Sequence, residues 1–288
     1  MRGIILAGGL GSRLWPITTV TSKQLLPVYD KPMIYYPIAT LMMAGIRDIL
    51  IITTPQDQDS FKALLGDGST LGVNFEYAIQ EKPTGLADAL IIGEEFLSNE
   101  SCLLILGDNI FHGARLGHEL SQVLPDDGCH IFTYEVADPS QYGVLTVDLD
   151  NRPIAIKEKP KTPDSNLAVT GLYFFDNQAP NRAKAIKPSH RGELEITSLI
   201  ETYLLESKMT FTKLSRGTAW LDTGNPTSLH DAASFIKVIE DRTGLKIACL
   251  EEISWRNGWL TDQQLSDSIL KYGTNHYGSY LKSLLSNR

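Results

Sequence analysis

Gly3-Ile4-Ile5-Leu6-Ala7-Gly8-Gly9-Leu10-Gly11-Ser12-Arg13-Leu14 places a short apolar run directly before a glycine cluster. The run is too short for a signal peptide or a membrane span and reads as a buried first strand. Glycines at the C-terminal end of such a strand let backbone N–H groups approach and cradle phosphates. Leu14 stands where a dinucleotide fingerprint needs its third glycine, and the chain has no GxxxxGKS or GxxxxGKT run, so both of those readings fail. What remains is a phosphate loop with its own guanidinium, Arg13, followed ten residues later by Lys23. Two cations near one loop suit a triphosphate, whose departing pyrophosphate gains negative charge. For the glycines alone, a tight turn with solvated charges is the alternative.

Outward from this loop, short apolar runs alternate with helical patterns. That alternation predicts an α/β fold with a mostly parallel central sheet flanked by helices. Strands are expected at 48–53, 73–79, 102–106, 130–136, 142–147, 154–157, 169–175 and 209–214. Ile34, Ile38, Leu41 and Met42 follow Pro32 at helical spacing, and 86–97 and 193–206 read as further helices. From Pro226 onward the pattern is mainly helical, so we expect a core over 1–225 and a helical appendage over 226–288. A net charge of −8 argues against a nucleic-acid partner, which would need a basic footprint. Three widely spaced cysteines, Cys102, Cys129 and Cys249, exclude a disulfide framework and fit a reducing cytoplasm.

Asp108 ends one apolar run and Asp222 another. Carboxylates at strand ends, on the ligand-binding edge of an α/β sheet, are placed to hold Mg²⁺, which keeps waters and phosphate oxygens and takes few protein ligands. Capping a turn is the alternative for each. Lys157-Glu158-Lys159-Pro160 puts an acid and two cations at a strand end. In a regular strand Glu158 and Lys159 would face opposite ways, unless Pro160 ends the ladder. Gln24 and Gln80 each offer a donor and an acceptor that complement a pyrimidine edge. The histidines are scattered and form no nucleophilic triad or convincing metal pair.

Leu6-Ala7-Gly8-Gly9-x-Gly11-x-Arg13-Leu14-x-Pro16-x-Thr18 with Ser22-Lys23-Gln24-Leu25-Leu26-Pro27 resembles the signature of sugar-phosphate nucleotidyltransferases, close to the glucose-1-phosphate thymidylyltransferase branch. Tyr29-Asp30-Lys31-Pro32, Leu106-Gly107-Asp108-Asn109, Gly192-Glu193-Leu194-Glu195 and Trp220-Leu221-Asp222 extend the likeness over nearly the whole chain. The resemblance implies a Rossmann-like fold and thymidylyl transfer from dTTP to glucose 1-phosphate, giving dTDP-glucose and pyrophosphate on the way to dTDP-L-rhamnose. It implies Mg²⁺ on Asp108 and Asp222, and catalysis by Arg13, Lys23, Lys159 and Asp108. The nucleotide would meet Leu6, Gly8, Gly9, Gly11, Ser12, Arg13, Gln24, Gln80, Gly85 and Asp108. The sugar would meet Asn109, Gly143, Glu158, Lys159, Val169 and Tyr173.

The resemblance further implies a homotetramer with a regulatory region including Gly217, Glu252, Ile253 and Arg256. Two departures stand out. Gln80-Glu81-Lys82-Pro83-Thr84-Gly85 is more charged than the family's usual form, and Ser198 stands where an aspartate is common. Readings with UTP or another sugar phosphate, or as a non-catalytic nucleotide-sugar sensor, are the alternatives.

Overall fold

A computed structural model of the chain describes residues 1–123 and 127–286, so the last two positions of the expected helical appendage lie outside the described residues. The strands are β1 (Arg2–Ala7), β2 (Pro27–Val28), β3 (Lys31–Pro32), β4 (Asp48–Thr53), β5 (Asn74–Ile79), β6 (Cys102–Leu106), β7 (Asn109–His112), β8 (Cys129–Glu135), β9 (Gly143–Val147), β10 (Pro153–Glu158), β11 (Leu167–Phe175), β12 (Met209–Lys213) and β13 (Ala219–Asp222). The helices of the core are α1 (Tyr35–Met43), α2 (Gln58–Leu65), α3 (Asp88–Ile92), α4 (Glu94–Leu97), α5 (Leu116–Ser121), α6 (Ala179–Ala185) and α7 (Ile196–Leu205). After them come α8 (Pro226–Thr243), α9 (Leu250–Arg256), α10 (Asp262–Tyr272) and α11 (His276–Ser286).

The central sheet runs β10-β9-β11-β6-β1-β4-β5, with β8 on the other edge of β11 and β12 beyond it. Its β6-β1-β4-β5 half is parallel, and β8 to β11 add antiparallel pairings. Continuous apolar runs mark the parallel half because both faces are covered. Ile5 and Ala7 of β1 enter the cluster beneath α1 and α2, while Ile4 and Leu6 enter the one beneath α3, α6 and α7. Ile49 and Ile51 against Leu50 and Ile52 repeat that alternation in β4.

Strand β11 decides where the sheet opens. Its C-terminal half pairs with β6 through Leu172–Phe175, but Leu167 and Ala168 pair with β9. Along that edge Val169, Thr170 and Gly171 lie between two partners, and the β8 register shifts over the same stretch. A gap is left just beyond the end of β6, and the candidate site lies there.

The expected 86–97 helix is two pieces, because Gly93 interrupts it between α3 and α4. A Cβ at Gly93 would lie 2.7 Å from Ile4 Cδ1, so this glycine lets the helix pair sit close on β1. The C-terminal helices have a small core of their own around Cys249, Leu265, Tyr280 and Leu281, yet Leu250 belongs to the main core and Ile236 of α8 packs with Val28 and Met33.

Gly85 ties the loop after β5 to the approach of α7. Its φ is +116°, and a Cβ there would lie 2.4 Å from both Leu194 N and Leu194 O. Leu194 donates to Thr84 O at 2.7 Å and accepts from Ala87 N at 3.1 Å on either side of it. Gly85→Ala is therefore expected to lower unfolding free energy by about 2 kcal/mol or more. An unchanged denaturant midpoint would show that the loop can shift freely.

Candidate active site

Parallel pairing of β1 with β6 brings Leu6 beside Leu106, and Gly107 donates to Leu6 O at 2.9 Å. The glycine loop and Asp108 thus leave the same edge of the sheet together. The glycines have different tasks. Gly11 is left-handed at φ +61°, and its carbonyl accepts from Leu14 N at 2.8 Å and Thr18 Oγ1 at 2.7 Å. A Cβ on Gly8 would fall 2.8 Å from Gln80 Oε1, whereas one on Gly9 would meet nothing within 4 Å. Leu14 is fully buried and anchors the turn, leaving Arg13 exposed.

Asp108 sits between two strong donors. Lys23 Nζ reaches its Oδ2 at 2.6 Å, and Asn109 Nδ2 reaches its Oδ1 at 3.0 Å. Strand β13 pairs antiparallel with β7 so that Asp222 lies opposite Asn109. Thr223 Oγ1 then donates to the Asp108 carbonyl at 2.8 Å, locking the two strand ends together. Burial alone would raise the Asp108 carboxyl, but the Lys23 charge and these hydrogen bonds outweigh it and hold it below the usual range. For Asp222, burial and then the negative charge of Asp108 push the carboxyl above the usual range, against smaller pulls from Lys23 and Arg13. A pair of like charges split in this way suits a divalent cation. Among the described residues no third His, Cys, Asp or Glu completes a metal cluster, so substrate oxygens and water would have to fill the remaining positions.

A cavity of about 350 Å³ joins these groups to the sugar candidates. Arg13, Asp108 and Asp222 line it together with Gly143, Glu158, Lys159, Val169 and Tyr173. The conflict between Glu158 and Lys159 is resolved by backbone geometry. Strand β10 ends at Glu158, and Lys159 turns into the left-handed region at φ +41°, so both side chains line the cavity. Lys159 N–H remains bonded to Tyr142 O at 3.0 Å. Glu158 accepts from Thr197 Oγ1 at 3.2 Å.

Asn109 lines the same cavity, but its amide is engaged by the protein. Its Oδ1 accepts from Trp220 Nε1 at 2.6 Å and from Gly171 N at 3.2 Å, while its Nδ2 holds Asp108. A Cβ at Gly171 would lie 2.7 Å from that amide, so the glycine makes room for it.

Leu6, Gly8, Gly9, Gly11, Ser12, Lys23, Gln24, Gln80 and Gly85 do not line this cavity, and Gly9 borders a separate groove of about 380 Å³. Gln80 Nε2 is held by Asp88 Oδ2 at 3.0 Å and Gly85 O at 3.3 Å, and Gln24 Oε1 accepts from Ser22 at 2.7 Å. A Cβ built at Gly217 would meet only Ser215 Oγ, at 4.0 Å. On α9, Glu252 bonds Arg256 Nε at 2.7 Å and Tyr280 at 2.5 Å, while Ile253 packs against the main core.

Trp220 and Thr197 also line the cavity, and Arg191 stands behind Glu158. Trp220 stands inside a segment that carries the resemblance but had no role assigned to it, and Arg191 and Thr197 flank another, Gly192-Glu193-Leu194-Glu195. Arg191 Nη2 lies 2.9 Å from Glu195 and 3.7 Å from Glu158.

The pattern of the nucleotidyl transferase family matches residues 2–238, and the chain belongs to that family. A glucose-1-phosphate thymidylyltransferase of Neisseria meningitidis is 54% identical, and the match covers 99% of each chain. One of Mycobacterium tuberculosis is 53% identical with the same coverage. Among solved structures, a chain described as a glucose-1-phosphate thymidylyltransferase of Bacillus anthracis, crystallised with sucrose, aligns with a TM-score of 0.75 and 42% identity. That alignment covers 82% of this chain and 94% of the other. A UDP-glucose pyrophosphorylase complexed with UDP-glucose aligns with a TM-score of 0.73 at 25% identity, over 83% and 98% of the two chains.

Because the folded-state carboxyl of Asp222 is raised, its contribution to stability is full at low pH and is lost as pH rises through the folded value. Asp222→Asn should therefore raise the thermal midpoint of the metal-free protein at pH 7. Its advantage should vanish toward pH 3, below the ordinary aspartate value of about 3.9, where both forms are neutral. A lower midpoint at pH 7 would remove the repulsion argument.

Proposed function

We propose that this chain transfers a thymidylyl group from dTTP to glucose 1-phosphate, releasing pyrophosphate and forming dTDP-glucose. The observation that carries the chemistry is the single cavity joining Asp108, Asp222, Arg13 and Lys159, with Lys23 on Asp108. The curated relatives supply the choice of dTTP and glucose 1-phosphate.

A sugar phosphate is already ionised near neutral pH, so one of its oxygens attacks the α-phosphorus without a general base. One O–P bond forms, the bond to the β-phosphate breaks, and pyrophosphate leaves with the electron pair. No proton has to move and no covalent enzyme intermediate is needed. Among the described residues the cavity is lined by three carboxylates and two cations and by no histidine or cysteine. Arg13 and Lys23 neutralise the triphosphate end, and Lys159 the sugar phosphate. Glu158, steadied by Thr197, accepts from sugar hydroxyls. Gln80, fixed by Asp88, and Gln24, fixed by Ser22, read the base. Asp108 and Asp222 would hold Mg²⁺, which supplies neutralisation of phosphate charge in the transition state.

A cytoplasmic homotetramer with feedback at α9 and a place in deoxysugar supply are part of this reading. Their support is the family resemblance, with three unpaired buried cysteines and no described helix apolar enough to span a membrane.

Pyrophosphate release measured over a matrix of triphosphates and sugar 1-phosphates should be fastest with dTTP and glucose 1-phosphate, and chelation of Mg²⁺ should abolish it. A clear preference for UTP would overturn the thymidylyl assignment, and silence with every pair would favour a nucleotide-sugar sensor. Asp108→Asn should lower turnover by at least about 100-fold with the fold intact. Near-normal turnover would take Asp108 out of the reaction.

A further inference from the structure

Lys31 has no part in the chemistry above, yet its side chain is only 2% exposed, deeper than that of Lys23. Its ammonium meets Glu240 Oε1 of α8 at 2.8 Å and also pairs with Asp30. Lys246 closes the ring, bonding Glu240 Oε2 at 2.7 Å and pairing with Asp30 in turn. Glu240 Oε1 further accepts from Ile247 N at 2.9 Å. Buried charges of this kind add little net stability, because desolvation offsets most of their attraction, whereas their geometry is demanding. The apolar contacts of Val28 and Met33 with Ile236 already attach the β2–β3 hairpin to α8. Such contacts tolerate sliding, and the ion ring does not.

The hairpin is bonded to the loop that carries Lys23. Met33 N–H donates to Leu26 O at 2.9 Å, Ile34 N–H to Gln24 O at 2.9 Å, and Leu26 N–H to Lys23 O at 3.1 Å. From the start of that turn Lys23 reaches Asp108 at 2.6 Å. We propose that Lys31, through its bond to Glu240, is a positioning residue that clamps the 24–34 strap to α8 and thereby holds the Lys23 ammonium in place. The inference rests on the transferase reading, because it concerns how one cation of that site is held.

Pyrophosphate release by the parent enzyme is measured first, and its absence overturns the transferase reading and this one with it. Lys31→Met and Glu240→Gln are then each placed in the parent and in a Lys23→Met background. A residue acting through Lys23 should lower kcat/KM about tenfold in the parent and less than twofold once Lys23 is gone. Equal losses in both backgrounds mark a merely structural role and overturn the proposal, as does full activity in a folded variant. If Lys31→Met does not fold, the near-isosteric Glu240→Gln carries the same comparison.

Discussion

Two carboxylates beside one cavity repel each other, and a good part of the surrounding structure bears that repulsion. Asp108 is held by Lys23 and by the amide of Asn109, and that amide is itself held by Trp220 and Gly171. Asp222 has weaker compensation, and its raised carboxyl shows it. The β7–β13 pairing and the Thr223 bond keep the two strand ends from drifting apart. Wider separation would relieve the repulsion and dissolve the site, so the small two-stranded sheet matters to it as much as the charged groups do.

The parallel half of the fold was legible because β1, β4 and β6 are buried on both faces and read as unbroken apolar runs. Asp108 and the glycine loop could be placed at strand ends from that alone. Less was visible where elements are short or amphipathic: α2, α5 and α6 were passed over, and β7 begins one residue past Asp108 with no break in pattern. The gap along β11 depends on a change of partner that no local periodicity records.

Within the site, legibility follows the same division. Arg13, Asp108, Glu158, Lys159 and Asp222 were named from sequence and line one cavity. The left-handed turn at Lys159 could not be read, since only the Pro160 that follows hinted at it. Asn109 was named for the sugar and lines the cavity, while its Oδ1 accepts from Trp220 and Gly171, both distant in sequence, and its Nδ2 donates to the neighbouring Asp108. Gly217 and α9 were grouped by resemblance alone, since no local pattern in either segment speaks of a shared site.

The exchange of partners along β11 also divides labour. Arg13 and Asp108 follow the parallel strands β1 and β6, whereas Gly143, Glu158, Lys159, Val169 and Tyr173 sit on or just past the antiparallel strands β9, β10 and β11. The two sets face each other across the cavity. Insertions or swaps in the antiparallel hairpins can therefore reshape one end of the cavity while β1 and β6, which carry the glycine loop and Asp108, keep their register.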